Sequence, residues 1–332
     1  MKLLGIDWLL TYSCDRTCPH CFFDTKDGGP VLPAALVDRA LGDRALAAGM
    51  FFQHVSGGEP SLHTRELVEL VQALRRCDAG EIGISTNGRW AVDDREARQW
   101  VAVMADAGVT GISVSLDGLH GAPDSEARRR AERASRAVRI AGLGRHSWLM
   151  ACRTPGAESG ARPMERPKRE QELVALPLAN VSIRPIGRGS LFLRGFASPG
   201  IPSAPCTRLS ECLGERTPFE PAMVWIDPYG NVSICYGLVI GKLGESSLGE
   251  IVSAYRPDMN PVLAALSSGG PARLLELAES LGLGSAVEAK AGFVDECDLC
   301  WRVRKALRPV FPAVLGPAEC YPEERVQAGT VP

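Results

Sequence analysis

Three cysteines near the start of the chain have the spacing of a metal-binding loop. Cys14, Cys18 and Cys21 follow an apolar run, residues 3–10, that predicts a buried strand. Three thiolates on one loop can bind three irons of a cubic 4Fe-4S cluster, which leaves the fourth iron without a protein ligand. Such an iron can bind a small molecule through an amine and a carboxylate. The loop therefore predicts a reactive cluster, and a structural zinc or iron–sulfur site is the alternative.

Length, composition and charge limit the class of protein. The chain has 332 residues, 45% hydrophobic and 23% charged, which is typical of a globular protein with room for two domains. Its net charge of −2 argues against binding to nucleic acid or to an anionic membrane. No apolar run reaches the ~18 residues that span a bilayer. The eleven cysteines then predict metal binding or catalysis in a reducing compartment, so we expect a cytoplasmic protein.

Strand-like and helix-like segments alternate in the first part of the chain. Repeated strand–helix–strand units specify a parallel sheet with right-handed crossovers. Six units predict an α/β fold with a partial (β/α)6 TIM-type barrel. The predicted strands are residues 3–12, 51–56, 81–85, 111–116, 147–152 and 180–185, and the predicted helices are residues 33–48, 64–76, 93–107, 125–141 and 168–176.

The predicted strands end in polar or glycine-rich segments. In a barrel of this type, the chemistry takes place at the C-terminal ends of the strands. Gly57, Gly58 and Glu59 follow the second predicted strand. The glycines let backbone groups approach closely, and Glu59 can lie beside an ammonium group. The strand ends therefore predict a site for a charged, amino-acid-like ligand.

Hydrogen-bonding side chains complete this predicted site. Ser85 and Asn87 follow the third strand, and Ser115 ends the fourth. These three side chains offer neutral hydrogen bonds to hydroxyl or carboxylate groups. Asp117 can bind a ribose diol. His20, just before the third cysteine of the loop, presents a flat ring on which a purine could stack.

Together these motifs resemble the radical S-adenosylmethionine (radical SAM) superfamily. The Cys-x3-Cys-x2-Cys loop after the first strand is the signature of that superfamily, and residues 57–60 match its GGEP element. Residues 85–88 and 113–118 resemble its elements after the third and fourth strands. The resemblance covers residues 3–186, with one departure, because His20 stands where Tyr or Phe is usual.

The resemblance implies a cofactor and a reaction. Cys14, Cys18 and Cys21 would ligate the cluster, and its open iron would chelate S-adenosylmethionine (AdoMet). Members of the superfamily cleave AdoMet reductively to a 5′-deoxyadenosyl radical, which abstracts a hydrogen atom from the substrate. A reducing electron donor such as a flavodoxin or ferredoxin is therefore implied. The residues expected beside the amino group are Gly57, Gly58 and Glu59, and those expected beside the ribose and carboxylate are Ser85, Asn87, Ser115 and Asp117.

The C-terminal part of the chain carries a second group of cysteines. A Gly- and Pro-rich segment predicts a boundary that separates a barrel, residues 1–192, from a smaller α+β domain, residues 193–332. Residues 225–235 predict a β-hairpin that ends in a cysteine. With the later Cys-x2-Cys loop, this hairpin resembles the SPASM/Twitch extension, in which cysteines hold auxiliary 4Fe-4S clusters. The cysteines concerned are Cys206, Cys212, Cys235, Cys297, Cys300 and Cys320.

These six cysteines leave the number of auxiliary clusters open. The full SPASM pattern is incomplete, because residues 301–318 contain no cysteine. We favour two sites with three cysteines each, 206/212/235 and 297/300/320. One cluster with four cysteine ligands is the second arrangement. A zinc site formed by residues 235, 297, 300 and 320 is the third.

The resemblance also predicts a class of substrate. Its class mostly modifies ribosomally made peptides by crosslinking, epimerisation or oxidation, so we expect a peptide. Against this, the barrel begins by residue 3 without a leader-recognition domain, and auxiliary cysteines are missing. A radical SAM enzyme acting on a small molecule or cofactor precursor is therefore the alternative, and a non-enzymatic iron–sulfur carrier or scaffold is the second. The residue that relays or quenches the substrate radical is not identifiable from the sequence.

Overall fold

The computed structural model describes residues 3–78, 80–116, 119, 125–153, 176, 178–203 and 221–323. The strands in these ranges are β1 Gly5–Thr11, β2 Phe52–Gly57, β3 Glu81–Thr86, β4 Gly111–Ser115, β5 Leu149–Arg153, β6 Leu178–Ser182, β7 Met223–Ile226, β8 Asn231–Cys235 and β9 Leu238–Lys242. The α-helices are α1 Ala35–Leu41, α2 Arg44–Ala47, α3 Thr64–Arg76, α4 Asp94–Ala107, α5 Glu126–Ile140, α6 Arg188–Phe192, α7 Leu248–Ala254, α8 Pro261–Ser280 and α9 Glu296–Leu307.

The described strands form one sheet in the order β6-β5-β4-β3-β2-β1-β7-β8-β9. Each neighbouring pair from β1 to β6 is parallel, and β6 and β9 lie at the two edges, so the sheet does not close on itself. The predicted α/β fold with a partial barrel is confirmed. In the described ranges, no helix is long and apolar enough to cross a membrane.

Helix ends follow the capping residues of the sequence, with one break that the prediction missed. Asp93 accepts hydrogen bonds from the first turn of α4, and Gly108 ends this helix with a φ of 111°. The helix predicted over residues 33–48 is divided into α1 and α2, because Gly42 favours helix poorly and Asp43 accepts a bond from Leu46 N at 3.2 Å to start a new turn. Of the helix predicted over residues 168–176, only residue 176 lies within the described residues.

The two faces of the sheet differ in polarity. Along β2, β3 and β4, the residues that point to one face are buried and mostly apolar, among them Val55, Ile84 and Val114. Residues in between are half-buried and mostly polar, including Ser56 and Ser85. Helices α3 and α4 cover the apolar face with buried side chains of their own. The polar face of these strands is therefore the accessible one.

The C-terminal hairpin extends the barrel sheet. Strand β7 pairs in parallel with β1, and β8 and β9 follow it in antiparallel order. The hairpin predicted over residues 225–235 is thereby confirmed, and it places Cys235 on the strand next but one to β1. The domain boundary near residue 192 stays a prediction.

Candidate functional site

The loop with Cys14, Cys18 and Cys21 begins close to the end of β1 and is held by its own backbone. The Cys21 amide donates to the Cys18 carbonyl at 3.2 Å. The Arg16 amide donates to Cys14 Sγ at 3.4 Å, and the Phe23 amide donates to Cys21 Sγ at 3.5 Å. Amide donors of this kind stabilise a thiolate and are found around the sulfurs of iron–sulfur clusters. Two of the three sulfurs are thus prepared to carry negative charge.

Burial opposes that charge. It raises the pKa of the Cys14 thiol to about 12 and also raises the pKa of Cys21, although amide hydrogen bonds lower both. Coordination to a metal deprotonates a thiol outright, so these sulfurs become anionic when iron is bound. The set of three sulfur donors fits an iron–sulfur cluster by its chemistry. Within the described ranges, no group of three or more His, Cys, Asp or Glu side chains is arranged to hold a metal ion.

Gly57 and Gly58 join the end of β2 to this loop. The Gly58 amide donates to the Thr11 carbonyl at 2.7 Å, and the Glu59 amide donates to the Ser13 carbonyl at 2.8 Å. A Cβ atom on Gly58 would lie 2.0 Å from the Ser13 oxygen, and Gly57 has a φ of +129°. In the structure, the close approach that the glycines allow is to the backbone that leads into Cys14.

We expect Gly58→Ala to displace Ser13 and with it the cysteine loop. The free energy of unfolding should fall by about 3 kcal/mol or more, since backbone atoms on both sides must move. Gly244→Ala is the matched control, because nothing lies within 4 Å of the added Cβ there. Urea unfolding and iron content after anaerobic reconstitution measure the two effects. Equal stability and iron binding in both variants would contradict the role of Gly58.

Glu59 links the ends of β2 and β3. Its side chain is 1% exposed, and its Oε1 accepts from the Ser61 amide at 3.0 Å and from Thr86 Oγ1 at 2.7 Å. Its Oε2 accepts from the Asn87 amide at 2.7 Å. Burial raises the pKa of the Glu59 carboxyl, and these donors lower it in part. Both oxygens are engaged by the protein, so a ligand ammonium would be an additional donor.

Asn87 connects the third strand to the cysteine loop. Its Nδ2 donates to Asp15 Oδ1 at 2.9 Å, and Arg16 Nη2 donates to its carbonyl at 3.2 Å. Arg89 Nε lies 2.9 Å from Asp15 Oδ2. Burial raises the pKa of Asp15, but the hydrogen bonds from Asn87 and Arg89 lower it below its usual value. The loop is therefore fastened to the end of β3 by an ionised carboxylate between its first two cysteines.

A chain of hydrogen bonds crosses the polar face of β1, β2 and β3. Asp7 Oδ1 lies 2.7 Å from Ser56 Oγ and 3.2 Å from His54 Nδ1, and His54 Nε2 lies 2.9 Å from Ser85 Oγ. In the tautomer of His54 that carries its proton on Nδ1, this nitrogen donates to Asp7 and Nε2 accepts from Ser85. Ser85 Oγ is then left to accept a bond from a hydroxyl or amine of a ligand.

Sequence reasoning missed this chain of hydrogen bonds, because His54 was not among the predicted site residues. The signal was present in the alternation of β2, which places His54 and Ser56 on one face of the strand. Ser115 ends β4 on the same polar face and is half-buried. His20 is only 8% exposed, which leaves little of its ring for a purine. Asp117 lies outside the described residues.

The described C-terminal cysteines come from three elements. Cys235 ends β8, Cys297 and Cys300 lie one turn apart in α9, and Cys320 ends the short 3-10 helix Ala318–Cys320. Burial raises the pKa of the Cys300 and Cys320 thiols, so they too need a bound cation to become anionic. Cys206 and Cys212 lie outside the described residues.

Aromatic rings link the segments that carry the two groups of cysteines. The rings of Phe22 and Tyr236, neighbours in sequence of Cys21 and Cys235, have centroids 4.9 Å apart. Phe23 contacts Tyr236 at 5.2 Å and Tyr12 at 5.2 Å. We call Tyr12, Phe22, Phe23 and Tyr236 the aromatic layer.

Tyr12 connects the aromatic layer to Cys320. Its hydroxyl donates to Asp227 Oδ2 at 3.2 Å and lies 3.9 Å from Cys320 Sγ. The rings therefore connect the segment of Cys21 with the segments of Cys235 and Cys320.

A comparison with protein families finds one similarity. Residues 8–144 match the Radical SAM superfamily. The matched range contains the cysteine loop, Gly57, Gly58, Glu59, Ser85, Asn87 and Ser115. This part of the chain, less than half of its length, is therefore similar to that superfamily.

Solved structures are similar to this chain at low sequence identity. The chain is similar to anSMEcpe with bound AdoMet, with a TM-score of 0.52, 12% identity, and coverage of 94% of this chain and 97% of that chain. Streptococcus suis SuiB bound to precursor peptide SuiA has a TM-score of 0.49 and 14% identity, over 89% of this chain and 76% of that one. BtrN in complex with AdoMet and 2-DOIA has a TM-score of 0.44 and 14% identity, over 82% and 89%.

Proposed function

We propose that the protein is a radical SAM enzyme that cleaves AdoMet reductively and abstracts a hydrogen atom from its substrate. One observation carries the proposal. The cysteine loop is bonded to the Gly58–Glu59 backbone at the end of β2 and through Asp15 to Asn87 at the end of β3. The segments that resemble the superfamily thus meet at one edge of the sheet, where a single cofactor can contact all of them.

Cys14, Cys18 and Cys21 would hold the cluster. When bound, it supplies the electron that breaks the C–S bond of AdoMet. The chain's own residues keep the ligands in place. The Arg16 and Phe23 amides stabilise two ligand sulfurs, and Glu59 holds the ends of β2 and β3 together.

Formation of 5′-deoxyadenosine tests the proposal directly. The anaerobically reconstituted protein, reduced with dithionite and given AdoMet, should form it. AdoMet binding should be measured in parallel by equilibrium dialysis, because some cleavage reactions wait for a substrate. A protein that holds iron and sulfide but neither cleaves nor binds AdoMet would be an iron–sulfur carrier or scaffold instead.

We further propose one auxiliary cluster ligated by Cys235, Cys297, Cys300 and Cys320. Cys235, Cys300 and Cys320 all interact electrostatically with Arg304 and Tyr321. This common pair of partners supports one site over two separate ones. Cys297 precedes Cys300 by one helical turn, on the same side of α9. A second site that includes Cys206 and Cys212 remains the alternative.

The predicted substrate is a ribosomally made peptide, on the strength of the SPASM/Twitch resemblance, and a small molecule is the alternative. A flavodoxin or ferredoxin in the cytoplasm is the proposed electron donor. Mass spectrometry after incubation with AdoMet and a candidate precursor peptide tests the substrate class. A mass change in the peptide supports the first class, and a change only in a candidate small molecule supports the second.

A further inference from the structure

Two buried arginines on α9 differ in what balances their charge. Arg302 is 6% exposed and Arg304 is 1% exposed. Arg302 lies against Asp298, with Nη2 2.8 Å from Oδ2 and Nε 3.1 Å from Oδ1. Among the described residues, no carboxylate lies within ion-pair distance of Arg304. The same helix thus buries one guanidinium with an acid and one without.

Cysteines surround the guanidinium of Arg304. Its Nη1 donates to the Tyr236 carbonyl at 2.9 Å, and its Nη2 lies 4.0 Å from Cys235 Sγ. Cys235, Cys300 and Cys320 are its electrostatic neighbours, together with the phenol of Tyr321. Its Nε is buried and has no hydrogen-bond partner within the described residues.

The charge of Arg304 needs an anion at this place. A guanidinium stays protonated in proteins, and a buried charge without a counter-ion costs several kcal/mol. Neutral thiols do not balance it. Thiolates that ligate iron do, because the ligated sulfurs are deprotonated and the cluster as a whole is anionic.

We propose that Arg304 balances the charge of a metal–thiolate cluster ligated by Cys235, Cys297, Cys300 and Cys320, and that it raises the reduction potential of this cluster. The inference rests on the auxiliary cluster of the proposed function. A fixed positive charge stabilises the reduced cluster, which is more negative than the oxidised one. Arg304 is therefore a positioning residue that sets the charge around the metal.

The test uses full-length protein in which Cys14, Cys18 and Cys21 are alanine, so that only the C-terminal cluster is seen. Arg304→Gln removes the charge and Arg304→Lys keeps it. The matched control is the double variant Arg302→Gln with Asp298→Asn, which neutralises both members of the neighbouring ion pair. Each protein is reconstituted with ferrous iron and sulfide, and its iron content and midpoint potential are measured, the latter by a redox titration followed by electron paramagnetic resonance.

We expect Arg304→Gln to lower the midpoint potential or to lose iron, while Arg304→Lys retains iron and shifts less. The control should keep the original potential. Equal behaviour of the Gln and Lys variants, or an equal shift in the control, overturns the inference.

The same experiment separates this inference from the proposed function. If the alanine background holds iron but its potential is insensitive to Arg304, only the role of Arg304 is wrong. If that background holds no iron, the auxiliary cluster and the inference are both wrong. Formation of 5′-deoxyadenosine by the wild-type protein still tests the barrel site independently.

Discussion

We expect the replacement of Cys14, Cys18 and Cys21 together by alanine to abolish 5′-deoxyadenosine formation and to leave the C-terminal iron in place. Cys14, Cys18 and Cys21 are the protein ligands of the proposed cluster, so the three alanines remove all of them. The C-terminal cysteines lie on other elements and do not depend on this loop for ligands.

The reciprocal variant, Cys297→Ala with Cys300→Ala, is the control. It should lose the iron of one cluster and still bind AdoMet. Product formation is measured by liquid chromatography, and iron and sulfide are measured per chain. Cleavage that survives in the first variant would refute the assignment of the loop. Unchanged iron in the second would refute the auxiliary cluster.

The second large effect is expected for Glu59→Ala. This change leaves the Ser61 amide, Thr86 Oγ1 and the Asn87 amide without their acceptor in a buried place. Each unsatisfied buried donor costs about 1–3 kcal/mol, so we expect a loss of about 3 kcal/mol or more in the free energy of unfolding. The ends of β2 and β3 would separate, and AdoMet cleavage should be lost with them.

Glu69→Ala is the control for Glu59→Ala. The Glu69 side chain is 55% exposed on α3 and only faces Arg65 at 3.8 Å. A surface pair of this kind contributes at most about 1 kcal/mol, and its loss should leave AdoMet cleavage unchanged. Urea unfolding of the metal-free proteins, followed by circular dichroism, gives both free energies. Equal losses in the two variants would show that Glu59 does not hold the strand ends.

Most strand limits of the barrel could be predicted from local sequence patterns. Strands β1 to β4 begin and end within two residues of their predicted limits, because alternating polarity and flanking glycines or caps are local signals. The position of Cys14 after β1 and of Glu59 after β2 followed from the same signals. The break at Gly42 was missed, since the apolar spacing continues across it while the capping side chain of Asp43 starts a new helix.

The roles of individual polar residues were harder to predict. Glu59 was expected to face a ligand, and the structure gives it three donors from its own chain. His54 was not among the predicted site residues, yet it joins Asp7 to Ser85 across three strands. The bonds from Thr86 and Asn87 to Glu59, and the one between His54 and Ser85, join residues that are 27 or more positions apart, so no local window of the sequence contains both partners.

The sequence by itself determined the parallel order of the barrel strands and which candidate site residues follow them, because both depend on residue types at short spacing. Only the tertiary structure decided that β7 pairs with β1. That pairing brings Cys235 and Tyr236 to the cysteine loop and surrounds Arg304 with cysteines. The physical reason is that β1 has an unpaired edge once it has paired with β2, and β7 pairs with that edge. An open edge is a property of the folded sheet as a whole.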